Sequence, residues 1–184
     1  MDITLHLASL DAATVVPPVL AVLCLWLLFG RRRRFNRHAH NIAKASQYLE
    51  RLKQLNGPAQ QLAYLRKIDP FVFEELILTA IKNAGGRIER NGRYTGDGGI
   101  DGKAVIRGRK FLIQAKRYRR HISAQHVKEF AELCRKQKRE GLFVHTGRTG
   151  RLAREVRSET VFIVGGERLL KMLGLAQEVR ACGR

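Results

Sequence analysis

The sequence predicts an α/β fold, a mixed central β-sheet flanked by helices and preceded by one transmembrane helix. Three observations carry this. The hydrophobic period changes along the chain, from helical spacing over 70–84 to strand-like segments over 87–116, then to alternating strand and helix patterns. Residues 12–30 contain no charged side chain and are followed at once by four arginines. A length of 184 residues at 45% hydrophobic composition suits one globular domain plus an appendage.

Charge narrows the partners. Lys and Arg number 35 against 16 Asp and Glu, a formal net charge of +19. Such an excess favours polyanions, either nucleic acid or an anionic membrane surface. The three cysteines, Cys24, Cys134 and Cys182, are odd in number and form no CxxC pair. That argues against a disulfide framework and a structural zinc site, and suits a reducing compartment.

Residues 1–11 form a short leader carrying Asp2 and Asp11 and no basic side chain. The apolar run 12–30 would span ~28 Å as a helix, close to the hydrocarbon thickness of a bilayer. Trp26 suits the interface, and Pro17 and Pro18 are tolerated near a helix start. A signal peptide would begin basic. Here Arg31, Arg32, Arg33 and Arg34 follow the apolar run, so the positive-inside rule places the N-terminus outside and the rest in the cytoplasm. Residues 31–66 read as a basic juxtamembrane linker, with a short amphipathic helix marked by Leu49, Leu52 and Leu55 and ended by Asn56-Gly57-Pro58. His38 and His40 have no acid or thiol beside them and read as solvated.

The domain proper is expected over 67–184. Asp69-Pro70 offers an N-cap and a first-turn proline, and Phe73, Leu76, Ile77, Ala80, Ile81 and Ala84 form an apolar stripe closed by Gly85-Gly86. Strands are expected over 87–94, 102–106 and 110–116, the last two a hairpin about Gly108. Ser123 caps a long helix with Val127, Phe130, Ala131 and Cys134 on one face. A strand over 142–147, a helix over 149–159, a strand over 160–166 and a helix over 167–179 follow.

The stretch DGGIDGKAVIRGRKFLIQAKRY holds the chemistry. Gln114 and Lys116 lie two apart on one strand and therefore point to the same face. The antiparallel hairpin brings the Asp101 end of its neighbour alongside. A carboxylate, an amide carbonyl and an ammonium thus converge. A hard cation such as Mg²⁺ takes oxygen ligands of this kind, polarises a phosphate and lowers the pKa of a bound water. A lysine nearby can orient or deprotonate that water and offset developing charge. Gln114 is neutral and binds a cation less strongly than a carboxylate, so Glu74 or Glu75 is wanted as a second acid. An aspartate in Gly-x-Asp-Gly also suits a tight turn, and Asp97 reads as shaping the glycine loop.

FVFEEL, GDGGIDGKAVI and FLIQAKRY, in this order and spacing, resemble the Mrr-type nuclease domain, a branch of the PD-(D/E)xK restriction-endonuclease-like fold in which Gln replaces the acid of the (D/E)xK half. The resemblance covers roughly residues 68–175 and includes VHTGRTGRLAREV and VFIVGGERLLKML. It implies that Asp101 and Gln114 bind metal, that Lys116 is the catalytic lysine and that Glu74 is the supporting acid, with Glu75 facing solvent. Lys103, Arg117, Arg119 and Arg120 border this site, where a phosphate backbone would lie.

The expected activity is a membrane-anchored, Mg²⁺-dependent (or Mn²⁺-dependent) DNA endonuclease, facing the cytoplasm, with a homodimer suited to cutting two strands; the resemblance implies a role in defence against foreign or modified DNA. Two other readings stay open: a membrane-tethered DNA-binding module whose site is idle because Gln114 is neutral, and a repair or junction-resolving nuclease.

Overall fold

The computed structural model describes residues 12–91, 99–155 and 159–175. Two compact units divide the chain, 1–39 and 40–184. Helix α1 (Ala12–Lys53) begins in the first, where Leu20, Val22, Leu23, Leu25 and Trp26 are exposed. Among the described residues no helix is long and apolar enough to cross a membrane. The transmembrane helix expected over 12–30 is therefore not supported. The leader 1–11 lies outside the described residues.

In the second unit the last turns of α1 bury Ala45, Leu49 and Leu52 in the same core as the later helices. Part of the segment read as a linker is thus built into this unit. Helix α2 (Pro58–Leu65) starts on a proline, which gives up only an N–H that would be unpaired anyway. Helix α3 (Pro70–Asn83) is capped by Asp69, whose carboxylate accepts from the backbone N–H groups of Phe71 (2.9 Å) and Val72 (3.3 Å). Residues 75–81 of α3 are all buried, so the helix is enclosed rather than lying with one face to solvent.

Five strands form one sheet in sequence order: β1 (Arg87–Arg90), β2 (Gly102–Ile106), β3 (Arg109–Lys116), β4 (Glu140–His145) and β5 (Val161–Val164). β1, β2 and β3 pair antiparallel. β3, β4 and β5 pair parallel. The crossover helices are α4 (Ala124–Lys136) and the short α5 (Arg151–Glu155), and α6 (Glu167–Met172) closes the described chain. Ser123 caps α4 through the His126 N–H, as its position suggests. The expected mixed sheet is present. The first strand ends at Arg90, and the glycine loop with Asp97 lies within 92–98, outside the described residues.

The sheet separates two cores. Phe111, Ile113 and Ala115 of β3 face Phe73, Leu76 and Ile77 of α3, backed by α1 and α6. On the other face Leu112 packs with Val127 and Phe130 of α4, Phe143 of β4 and Ala153 of α5. Strand alternation sends Gln114 and Lys116 to the same side as Leu112.

Candidate active site

The site forms just beyond the end of the β2–β3 ladder. Gly102 pairs with Ile113, so Asp101 falls opposite Gln114 on the same face. Three contacts fasten residues 99–101 to β3. The Asp101 N–H donates to the Ile113 carbonyl at 2.8 Å. The Asp101 Oδ2 accepts from the Ala115 N–H at 2.6 Å. The Gln114 Nε2 donates to the Gly99 carbonyl at 2.6 Å. Gly99 has φ +88°, and a Cβ there would stand 2.7 Å from Gln114 Nε2. Only glycine permits both the turn and this approach. Asn91 Nδ2 donates to the Ile100 carbonyl and secures the same segment from the β1 side.

With its amide nitrogen engaged, Gln114 keeps its Oε1 buried and without a hydrogen-bond partner. A buried acceptor left in this state costs roughly 1–3 kcal/mol, which a ligand at that oxygen would recover. Glu74 comes to the site from α3. Burial, first, and the negative charges of Asp101, Glu75 and Asp69 push its carboxyl up to about 8. A carboxyl held neutral by burial and by neighbouring negative charges is a place where a cation would be welcome.

Glu75 does not face solvent. Its side chain is 2% exposed and accepts from Arg90 Nε at 2.6 Å, while Arg90 Nη2 reaches Thr79 Oγ1 at 3.4 Å. This corrects the expectation for Glu75. Because α3 is buried on more than one side, the position after Glu74 turns inward and needs a cation from β1.

Lys116 pairs in register with His145 of β4. His145 is buried, and burial pushes its imidazole down to about 4, so it is neutral at physiological pH. Its Nε2 shares a hydrogen bond with Thr149 Oγ1 at 3.1 Å, and a Cβ at Gly165 would overlap its ring. Thr146 then clamps the end of β3. Its hydroxyl accepts from the Tyr118 N–H and donates to the Tyr118 carbonyl, both at 3.0 Å.

The catalytic-domain model of the Mrr family, described as a restriction endonuclease, matches residues 65–173, more than half of the chain. The chain belongs to the Mrr-type restriction endonuclease family. No curated protein and no solved structure matches it. The five-stranded mixed sheet with helices on both faces agrees with the α/β fold of restriction-endonuclease-like proteins. Membership supports a nuclease domain, and a nuclease domain implies DNA as substrate.

In this Mrr-type domain the four residues expected to act together occupy one end of the sheet. Asp101 and Gln114 are adjacent, Lys116 follows Gln114 on the same face, and Glu74 is electrostatically coupled to Asp101. The basic residues are placed less uniformly. Lys103 donates to Glu89 at 2.8 Å. Arg117 is half-buried and donates to the Arg66 carbonyl at 3.3 Å, tying β3 to the end of α2. Arg119 and Arg120 are exposed and make no ion pair among the described residues. His145 is what sequence reading passes over. Its nearness to Lys116 follows from the parallel β3–β4 pairing, which no local motif announces.

Among the described residues no group of three or more His, Cys, Asp and Glu is placed to hold a metal ion. The donors are instead of mixed kind: the Asp101 carboxylate, the orphaned Gln114 Oε1 and the Glu74 carboxyl. This oxygen set fits a hard divalent cation such as Mg²⁺ and not a thiophilic one.

Proposed function

We propose that this chain is a divalent-metal-dependent DNA endonuclease, with Asp101 and Gln114 as ligands, Glu74 as the supporting acid and Lys116 as the catalytic lysine. The observation that carries the reading is the buried, unpartnered Gln114 Oε1 opposite Asp101, whose negative charge is felt by a Glu74 carboxyl that a cation would deprotonate. A bound Mg²⁺ or Mn²⁺ would polarise the phosphate and acidify a water. The chain's own groups do the rest. Asp101 is oriented by the Ala115 N–H, and Gln114 by the Gly99 carbonyl, so both oxygens are positioned before substrate arrives. Lys116 sits beside a neutral His145 and offers its ammonium to the attacking water or the developing phosphorane charge. Arg119 and Arg120, at the mouth beyond Lys116, take the backbone phosphates.

The test is a cleavage panel on duplex, methylated duplex, single-stranded and branched DNA with Mg²⁺ or Mn²⁺. Wild type should cut, and Asp101→Ala and Lys116→Ala should each lower the rate at least ~10²-fold. Full activity of the double substitution would sink the assignment. Salt-sensitive binding without cleavage under either metal would favour the idle-site reading, for which the neutral Gln114 speaks.

Membrane attachment and a role in DNA restriction belong to the same proposal. Attachment is supported by the uncharged run 12–30, by the exposed Leu20, Val22, Leu23, Leu25 and Trp26, and by the four arginines that follow. Retention of the full chain in the membrane pellet after alkaline extraction is expected; release into the supernatant refutes the anchor.

A further inference from the structure

At the other end of β3 an open recess of about 840 Å³ lies between the β2–β3 turn, the C-terminal turns of α4 and the start of β4. Six of its lining residues are cations: Arg109, Lys110, Lys128, Arg135, Lys138 and Arg139. Only Glu132 and Glu140 oppose them, and Glu140 is occupied by Arg109, which donates from Nε at 2.8 Å and also from Nη2. The Arg109 guanidinium is further held over the rings of Phe111 and Phe162, at 5.6 and 5.7 Å from their centroids. The other five cations make no close ion pair among the described residues, and with Glu132 the one lining acid left to them the recess carries a net excess of positive charge.

A second observation points the same way. Among the described residues two that are not glycine have a left-handed backbone, Arg107 at φ 49° and Lys138 at φ 48°. Both are basic. Arg107 precedes Gly108 on the rim, and Lys138 lines the recess just past α4. Glycine or asparagine would take these conformations at lower cost. Both conformations are set locally, by the two-residue β2–β3 turn and by the left-handed close of α4, where the Arg139 N–H donates to the Cys134 carbonyl, so they fix where these two cations are displayed.

We infer that this recess binds the phosphodiester backbone of duplex DNA at a second place, remote from the reacting end. From Lys110 to Lys116 the strand runs ~20 Å, about six base pairs of duplex. The recess exposes no large apolar side chain that would enter a bilayer, since Leu152 and Phe162, the exposed large hydrophobics described in this unit, do not line it. The inference rests on DNA being the substrate and fixes where, besides the site, the chain grips it.

Binding of the full chain to duplex DNA over a salt series tests this, in an Asp101→Ala background that prevents cutting. The pair Lys110→Gln and Lys138→Gly should weaken binding about tenfold near 0.1 M salt and reduce the log–log salt slope by about 1–2. Thermal stability should hold or rise, because glycine relieves the left-handed strain. Lys82→Gln, an exposed cation on α3, should change affinity less than about twofold. Unchanged affinity and slope in the paired variant overturn the inference. So does an equal loss in Lys82→Gln, or a loss confined to vesicles of phosphatidylcholine and phosphatidylserine. The chain without these substitutions is assayed for cleavage in parallel. No cutting, together with recess-dependent binding, removes the nuclease reading and leaves this one standing.

Discussion

Glu74 meets the negative field of Asp101, while Glu75, one residue on, is turned into the core onto Arg90. The two should therefore answer mutation oppositely. Glu74 is raised to about 8, so the folded, metal-free protein favours its protonated form. The stability this adds is whole below about pH 4.5 and is lost as pH rises towards 8. Glu74→Gln should leave stability unchanged near pH 4 and raise it on the order of 1–3 kcal/mol at pH 8, a figure discounted because the carboxyl keeps some contact with solvent. Calorimetric titration with Mg²⁺ at pH 7 in buffers of different ionisation enthalpy should show close to one proton released, and none from Glu74→Gln. Glu75→Ala should instead cost about 2–4 kcal/mol at every pH where Arg90 is charged, measured by denaturant unfolding, because it strands a partly buried guanidinium.

At the scale of elements, local signals carried far. The Asp69-Pro70 start of α3 and the Ser123 start of α4 are read directly from cap chemistry, and the observed side-chain acceptors agree. Period-two alternation is what put Gln114 and Lys116 on one face, and the hairpin is what brought Asp101 to them. Two things escaped. A single apolar stripe implies one buried face, so it does not reveal an enclosed α3 with Glu75 turned inward. The His145 position beside Lys116 depends on two strands separated by α4, a pairing set by long-range packing. Gly99 shows how finely the element ends are tuned. Gly99→Ala would strain a φ of +88° and press on Gln114 Nε2. It should retain the fold but lose at least about half of the thermal shift given by saturating Mg²⁺, read by scanning calorimetry, as expected for a ~1–2 kcal/mol backbone penalty at a ligand. An undiminished shift would mean that Gln114 is not a ligand.

For the whole molecule, the burial of α1 sets a practical limit. The family match begins at residue 65, yet Ala45, Leu49 and Leu52 lie in the core with 0%, 5% and 0% exposure. Two leucines of this kind contribute ~3–6 kcal/mol of transfer free energy, a large share of the ~5–15 kcal/mol that holds a domain folded. A fragment cut at the family boundary would lose α2 and the buried end of α1, baring the core they share with α3, and should aggregate on expression, whereas one starting at His40 should stay monodisperse by size-exclusion chromatography. The smallest unit able to inherit this nuclease, by gene fusion or by recombination, is therefore longer than its recognisable signature. Any shuffled copy that took the signature alone would arrive without the helix that seals it.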